Sequence, residues 1–334
     1  MDKPHVAVVM STYNGEKYIK EQIDSILMQE GVDVRLYVRD DGSSDKTCCI
    51  INGYHDDRVV LINDCKNIGI GRSFFTALFY ALDHDSDADF FAFSDQDDMW
   101  LKNKLLTSVD TIKGIDAPAL YCSDYMILRD GVNEGLFLKE IQPLEYALDV
   151  INKNTIYGCT MCFNRALAKT LSQIPLPGLD ILNTRYHDTW TCLVAIACAT
   201  IKYDQSSGIL HRIHFKNVHG EGEPSLFVKL WRTILLFVSK FFKLLAFHIS
   251  FATFKTDIVN YCYRIGVGYV KRTSDYFLKS LSFYQKSDLE YIKMLANYRN
   301  SLKDRITLIK NASFCKRKDE SKMFFIFKVL TNLI

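Results

Sequence analysis

Three carboxylates crowd the end of one apolar run. Phe90-Phe91-Ala92-Phe93-Ser94 is followed by Asp95-Gln96-Asp97-Asp98-Met99-Trp100. This is the pattern of a buried strand that delivers Asp95, Asp97 and Asp98 to its C-terminal edge. Like charges this close raise one another's pKa. A hard divalent cation such as Mg²⁺ or Mn²⁺ favours oxygen ligands, shares them with phosphate and removes the repulsion. Two readings follow from the residues: a metal–diphosphate site, or a solvated acidic loop capping a helix that starts at Trp100, since Asp is common at N-caps.

The elements that must position these groups alternate. His5 to Met10 is an apolar strand, Ser11-Thr12-Tyr13-Asn14-Gly15 a polar turn, and Glu16 to Gln29 carries Tyr18, Ile19, Ile23, Ile26 and Leu27 at helical spacing. Val34 to Val38 is a second strand, ending at Asp40-Asp41-Gly42-Ser43-Ser44-Asp45, where Ser44 or Asp45 caps a short helix through Tyr54. Arg58 to Ile62, the loop Asn67 to Arg72, a helix from Ser73 to Leu82 and a strand from Asp89 to Ser94 complete the series. Strand–helix alternation predicts an α/β fold whose post-strand loops gather along one sheet edge, a binding crevice. Gly69-Ile70-Gly71 has Phe74 where a third glycine would stand, so a dinucleotide fingerprint is excluded, and no ATPase-type phosphate loop occurs.

The 334 residues carry a net charge of +2, unevenly distributed. From Glu221 onward 20 Lys and Arg face 9 Asp and Glu, a net of +11, which leaves −9 on the first 220 residues. Met1-Asp2-Lys3-Pro4 leads straight into a strand with no export signal ahead of it, so the ten cysteines are expected as cytosolic thiols. Cys159 and Cys162 have zinc-knuckle spacing, but no second pair follows, and small buried hydrophobes are the expectation.

Four stretches then occur in a recognisable order: Val8-Val9-Met10-Ser11-Thr12-Tyr13-Asn14, Val38-Arg39-Asp40-Asp41-Gly42-Ser43-Ser44-Asp45, Asn67-Ile68-Gly69 and Phe93-Ser94-Asp95-Gln96-Asp97-Asp98-Met99-Trp100. Together they resemble the inverting family 2 glycosyltransferases with the GT-A fold. The Ser-Asp-Gln-Asp-Asp-x-Trp variant resembles the branch containing bacterial rhamnosyltransferases of capsule and O-antigen assembly. The resemblance runs on through Tyr157-Gly158-Cys159-Thr160-Met161, likened to an acceptor-side strand, and through His187-Asp188-Thr189-Trp190. It closes with His211-Arg212-Ile213-His214-Phe215-Lys216-Asn217-Val218, where His211 replaces a usual Tyr. It covers residues 5–220.

The resemblance implies a mixed, mainly parallel sheet with helices on both faces over residues 1–220, followed by a C-terminal helical extension, 221–334. It places Thr12, Tyr13, Asn14, Asp40, Asp41, Asn67, Arg72, Asp95 and Arg212 on a nucleotide-sugar. Tyr13 would stack on the base, Asp41 accept its imide N–H, and Asp40 bond the ribose or brace the loop. Asp97 and Asp95 would hold Mg²⁺ or Mn²⁺, with His214 as a third ligand or only a hydrogen-bonded structural residue. Trp100, Gly158, His187 and Trp190 would lie toward the sugar or acceptor. Asp188 would be the catalytic base, a role compatible with capping the apolar helix Trp190 to Ala199. The donor would be a dTDP- or UDP-sugar, dTDP-rhamnose by preference, and the acceptor a lipid-linked cell-surface glycan. A metal-dependent sugar nucleotidyltransferase and a non-catalytic nucleic-acid- or membrane-binding module are the rivals; the tail has no recognisable nucleic-acid motif.

The basic region has its own pattern. Between Ser225 and Phe254, Lys229, Arg232, Lys240 and Lys243 share one side of a helical wheel, and Leu230, Ile234, Val238, Phe241, Phe242 and Leu245 share the other. The charges leave no window for a spanning helix. An amphipathic helix in an anionic membrane surface, or a helix packed on the front domain, is expected, and Met323 to Ile334 is a second short amphipathic piece. The enzyme would sit on the cytoplasmic face of the inner membrane.

Overall fold

The computed structural model describes residues 3–62, 66–138, 156–174, 176 and 187–214. The front half follows the expected alternation: β1 (His5–Thr12), α1 (Ile19–Leu27), β2 (Asp33–Asp40), α2 (Thr47–Asn52), β3 (Val59–Ile62), α3 (Ile70–His84) and β4 (Phe90–Ser94). Then come β5 (Met99–Trp100), α4 (Lys104–Ile112), β6 (Ala119–Ser123), β7 (Met126–Arg129) and β8 (Val132–Leu136). A 3₁₀ turn at Gly158–Thr160 leads into β9 (Cys162–Asn164), α5 (Arg165–Gln173), α6 (His187–Cys198), β10 (Thr200–Asp204) and β11 (Ile209–Ile213).

Seven strands form the main sheet in the order β10-β6-β9-β4-β1-β2-β3. All neighbours run parallel except β9, which is antiparallel to both β4 and β6. β1 explains why helices cover both faces. Its odd and even residues are equally apolar, so Val6, Val8 and Met10 pack with α1 and α4, and Ala7 and Val9 with α3, α5 and α6. On α1, Ile19, Ile23 and Ile26 make the buried stripe at the spacing of one helical face.

The strand order reverses at β1. The chain moves from β1 outward to β2 and β3, then returns to place β4 on the other side of β1, with Met10 in register with Ser94. Loops leaving β1 and β4 therefore diverge and open a crevice at their carboxyl ends. A second sheet, β5-β11-β7-β8, stands beside that opening, with β11 antiparallel to β5 and parallel to β7.

Three expectations change. Trp100 lies in strand β5, paired with Ile209, and the helix begins four residues later at Lys104. A short strand forms because the returning β11 supplies a partner that the sequence around Trp100 does not announce. The Tyr157–Met161 stretch is a 3₁₀ turn, and the strand starts at Cys162. Helix α3 begins at Ile70, with Gly69 at φ 84° as its N-terminal neighbour. Among the described residues no helix is long and apolar enough to cross a membrane. The amphipathic region 225–254, the final segment and residues 215–218 of the closing motif lie outside the described residues.

Candidate active site

At the β1 edge, the Thr12 hydroxyl and the Tyr13 N–H both donate to Gln96 Oε1, at 2.6 and 3.0 Å, and Gln96 Nε2 donates to the Tyr13 carbonyl at 3.2 Å. Gln96, between the two metal-type carboxylates, thus ties the β4 loop to the β1 loop. A Cβ at Gly15 would sit 2.3 Å from that Gln96 oxygen, which fixes glycine there. Asn14, at φ 49°, accepts from Ser44 N–H at 2.8 Å and so joins the β1 turn to the β2 loop. Tyr13 is 51% exposed, its ring open above this edge.

Asp40 spends its carboxylate on its own loop, accepting from the Gly42 and Ser43 N–H groups and the Ser43 hydroxyl. Of the two roles read for it, this is the brace. Asp41 is buried and accepts from Arg39 at 2.7 Å, from Ile68 N–H at 2.8 Å and from Gly69 N–H at 3.0 Å. Arg39 is wholly buried and also reaches Ser73 and the Lys66 carbonyl. The pair is therefore multiply hydrogen-bonded, the condition under which a buried charge pair is tolerated. Asp41 Oδ2 receives only the Gly69 bond among those described, and a carboxylate oxygen accepts two. Asn67 is exposed beside this loop, and Arg72 stands in the first turn of α3 with its buried Nε lacking a hydrogen-bond partner.

The acids after β4 divide into two groups. Asp97 Oδ2 meets His214 Nε2 at 2.9 Å, so this part of the expected metal set does come together. Asp95 instead converges with Asp98, Cys159 and His211, whose potential ligand atoms lie within 4.8 Å of one another. Asp98 is fully buried; its Oδ1 is 2.8 Å from His211 Nδ1 and accepts the Arg212 N–H at 3.2 Å. Its Oδ2 is buried with no hydrogen-bond partner. Desolvation, then the charges of Asp98 and Asp97, push Asp95 up to about 8, and Asp188 adds to the effect. Burial works against a charged His211, but Asp98, with Asp95 and Asp97 behind it, lifts the ring to about 9. Crowded carboxylates and an orphaned buried oxygen fit a divalent cation held by Asp95 and Asp97 with Asp98 beneath.

Strand β11 closes the crevice from the side. Arg212 donates from Nε to the Asp97 carbonyl at 3.1 Å and from Nη2 to Glu21 at 2.5 Å, and its guanidinium lies 4.7 Å over the Tyr18 ring. His214 stacks on the same Tyr18 with centroids 4.9 Å apart. The two residues predicted for phosphate and metal are thus held over α1 by Tyr18 and Glu21.

Asp188 lies in the first turn of α6, nearly buried, near enough to Asp95 for its charge to act there. His187 is stacked on Phe74 at 3.6 Å and edge-on to Phe93 at 4.7 Å, with neither ring nitrogen hydrogen-bonded. Burial pushes its pKa down to about 3, so the imidazole is neutral. Gly158 is pressed against that ring; a Cβ there would lie 2.1 Å from His187 Nε2. Trp190 and Trp100, read as sugar-pocket aromatics, are core side chains, 3% and 5% exposed. Their large apolar rings are drawn into the two packed faces of the sheet, and Trp100 also lies beneath the buried Lys104 ammonium at 3.7 Å.

Four participants escaped the sequence reading: Gln96, Arg39, Asp98 as a buried anchor, and the Cys159 thiol. The adjacent Asp97-Asp98 pair was visible, but which carboxylate turns inward depends on β11, more than a hundred residues away.

Residues 7–171 match the Glycosyl transferase family 2 profile. The chain is 36% identical over 110 residues to the dTDP-rhamnosyl transferase RfbG of Shigella flexneri, covering 31% of this chain and 36% of that protein. It is 31% identical over 173 residues to the UDP-Glc:alpha-D-GlcNAc-diphosphoundecaprenol beta-1,3-glucosyltransferase WfgD of Escherichia coli, covering 52% of this chain and 65% of the relative. It thus spans about a third and just under two thirds of these relatives' lengths. Among solved structures, the mannosyltransferase PcManGT from Pyrobaculum calidifontis in complex with GDP-Man and Mn²⁺ superposes with a TM-score of 0.51 at 16% identity, covering 99% of this chain and 87% of that one. S. aureus TarS 1–349 in complex with UDP gives 0.50 at 15% identity, covering all of this chain and 90% of that one. At these identities the two structures establish the shared fold.

Proposed function

Since the chain belongs, through residues 7–171, to glycosyl transferase family 2, we propose that it moves a sugar from a nucleoside diphosphate donor to a hydroxyl of a lipid-linked cell-surface glycan, with inversion at the anomeric carbon. The observation that carries this reading is the placement of Asp188 within electrostatic reach of Asp95, at the carboxyl edge where β1 and β4 diverge. One group of acids on the donor side and one carboxylate across from it is what a single displacement requires.

The steps assigned to this chain's residues are these. Tyr13 stacks on the base, and Asp41, steadied by Arg39, accepts the imide N–H of a thymine or uracil. Arg212 turns from Glu21 to the diphosphate, whose geometry a guanidinium matches. Asp95 and Asp97, with His214, hold the cation; when bound, a divalent ion supplies positive charge against the leaving diphosphate. Asp188 takes the acceptor hydroxyl's proton as the new bond to the anomeric carbon forms and the bond to the diphosphate breaks. No second carboxylate nucleophile is needed, in contrast to retaining glycosidases. The identity to a dTDP-rhamnosyl transferase makes dTDP-rhamnose the first donor to try, and the matched glucosyltransferase makes UDP-glucose the second. The lipid-linked acceptor, with a peripheral place on the cytoplasmic face of the inner membrane, is supported by the acceptor in the latter's name and by the basic amphipathic stretch 225–254.

Calorimetry with Mn²⁺ or Mg²⁺ and a panel of nucleoside diphosphates and their sugars tests the reading. Metal-dependent binding of a thymidine or uridine diphosphate, weakened at least about ten-fold in Asp97→Ala, is expected. Folded protein that binds no nucleotide, or an Asp97→Ala variant that binds as well as the parent, would refute it.

A further inference from the structure

We propose that Phe137, Tyr125 and Tyr157 form a stacking platform for a pyranose ring of the acceptor saccharide, one sugar beyond the residue that receives the transferred group. The inference rests on the transferase reading and adds to it the place where the acceptor lies.

The platform is a ladder of rings leading out of the acid cluster. His211, 2.8 Å from Asp98, lies with its ring 4.7 Å from that of Tyr125. Phe137 stacks on Tyr125 at 4.8 Å with the planes 11° apart, and Tyr157 meets both edge-on at 5.2 and 5.8 Å. Exposure rises along the ladder, from 4% at Tyr125 to 41% at Phe137. One face of Phe137 is thus backed by a ring, and the residue still keeps substantial exposed surface.

An exposed phenylalanine at the end of a hairpin strand is ordinarily loose, but this one is fixed. The Phe137 N–H donates to the Tyr125 carbonyl at 2.9 Å. The buried Asp124 carboxylate accepts from both Tyr125 N–H, at 2.8 Å, and Leu138 N–H, at 2.9 Å, clamping the two segments together. A ring held in place before its ligand arrives loses little entropy on binding.

Topology puts the ladder on the acceptor side. Tyr13 and the Asp40–Asp41 loop leave β1 and β2, the acid cluster leaves β4, and Tyr125 follows β6, on the far side of β4 from β1. Tyr157 immediately precedes Gly158, which touches His187 beside the proposed base Asp188. A ligand extending from Asp188 away from the nucleotide edge therefore meets Tyr157 and then Phe137. The occupant must combine an apolar face for a ring with hydroxyls for carboxylates a few ångströms away. A pyranose has this form, with C–H groups on its faces and hydroxyls at its rim. The platform takes the aromatic role that the buried Trp100 and Trp190 leave open.

The test uses the full-length chain and its Phe137→Ala and Phe137→Trp variants, with the N-acetylglucosamine trimer and the maltose trimer as probes in saturation-transfer NMR. Transfer to pyranose C–H protons is expected for at least one trimer. Affinity should fall about ten-fold in Phe137→Ala, the loss of one stacking contact, and return in Phe137→Trp. Calorimetry on the same samples with Mn²⁺ and thymidine or uridine diphosphate should give unchanged nucleotide binding, and thermal unfolding should be unchanged. Equal saccharide binding by Phe137→Ala, or no transfer to either trimer, would overturn the platform while leaving the nucleotide site intact. Loss of nucleotide binding by the parent protein would instead strike at the transferase reading itself.

Discussion

Asp188 and His187 are chain neighbours with different fates. The imidazole is held neutral in an aromatic cage, and the carboxylate acts on the acid cluster. Asp188→Asn keeps the shape and loses the proton acceptor. Transfer should fall by about 10²–10⁴, with donor affinity by calorimetry unchanged; full transfer by a folded variant would remove the base assignment. The cluster itself makes the metal-free fold pH-sensitive. Asp95 at about 8 resists ionisation that the unfolded chain undergoes near 4, and His211 at about 9 keeps a proton that the unfolded chain releases near 6.5. In both cases the folded state holds more protons as pH rises through the interval, so stability falls. With a chelator present, the melting temperature should drop between pH 6.5 and 9. His211→Asn should remove the part of the drop above about pH 8, where Asp95 is already ionised. A flat profile would mean that the cluster is not built as described.

At the scale of elements, Asn164 is a joint between sheet and helix. Its side chain caps α5 by accepting from Leu167 N–H and also accepts from Ala119 N–H at the start of β6. Its amide nitrogen donates to the Ile115 and Ala117 carbonyls. Asn164→Ala leaves buried backbone groups without partners as well as losing a cap, so denaturant unfolding should report a loss of about 2–4 kcal/mol. A cost below about 0.5 kcal/mol would show that the joint is not needed. Strand β11 is a different kind of element: its four successive residues His211 to His214 meet Asp98, Asp97, Glu21 and Tyr18 and little of the apolar core. An element held by polar contacts is suited to exchanging them for a diphosphate.

At the scale of the molecule, the charge is divided, −9 before Glu221 and +11 from it onward. If the basic part rests on an anionic membrane, the full chain should co-sediment with phosphatidylglycerol vesicles and release as salt is raised. Replacing Lys229, Arg232, Lys240 and Lys243 with Glu should abolish the co-sedimentation. Binding unaffected by salt and by the four replacements would exclude this surface.

The β-α alternation, the acidic edge of β4 and the turn at Asp40–Gly42 were legible in the sequence because they rest on local chemistry: apolar runs, caps and glycines act over a few residues. The helices on both faces follow from β1 itself, apolar at every position. What only the tertiary structure decided is long-range. Strand β11 turned Trp100 into a strand residue and selected Asp98 as the buried acid. Packing drew both tryptophans into the core, and the β6–β9 pairing brought Cys159 to the cluster and Tyr157 to Tyr125. A side chain's type records what it is able to do; which neighbours it meets depends on strands far apart in the chain and on the burial that their pairing imposes.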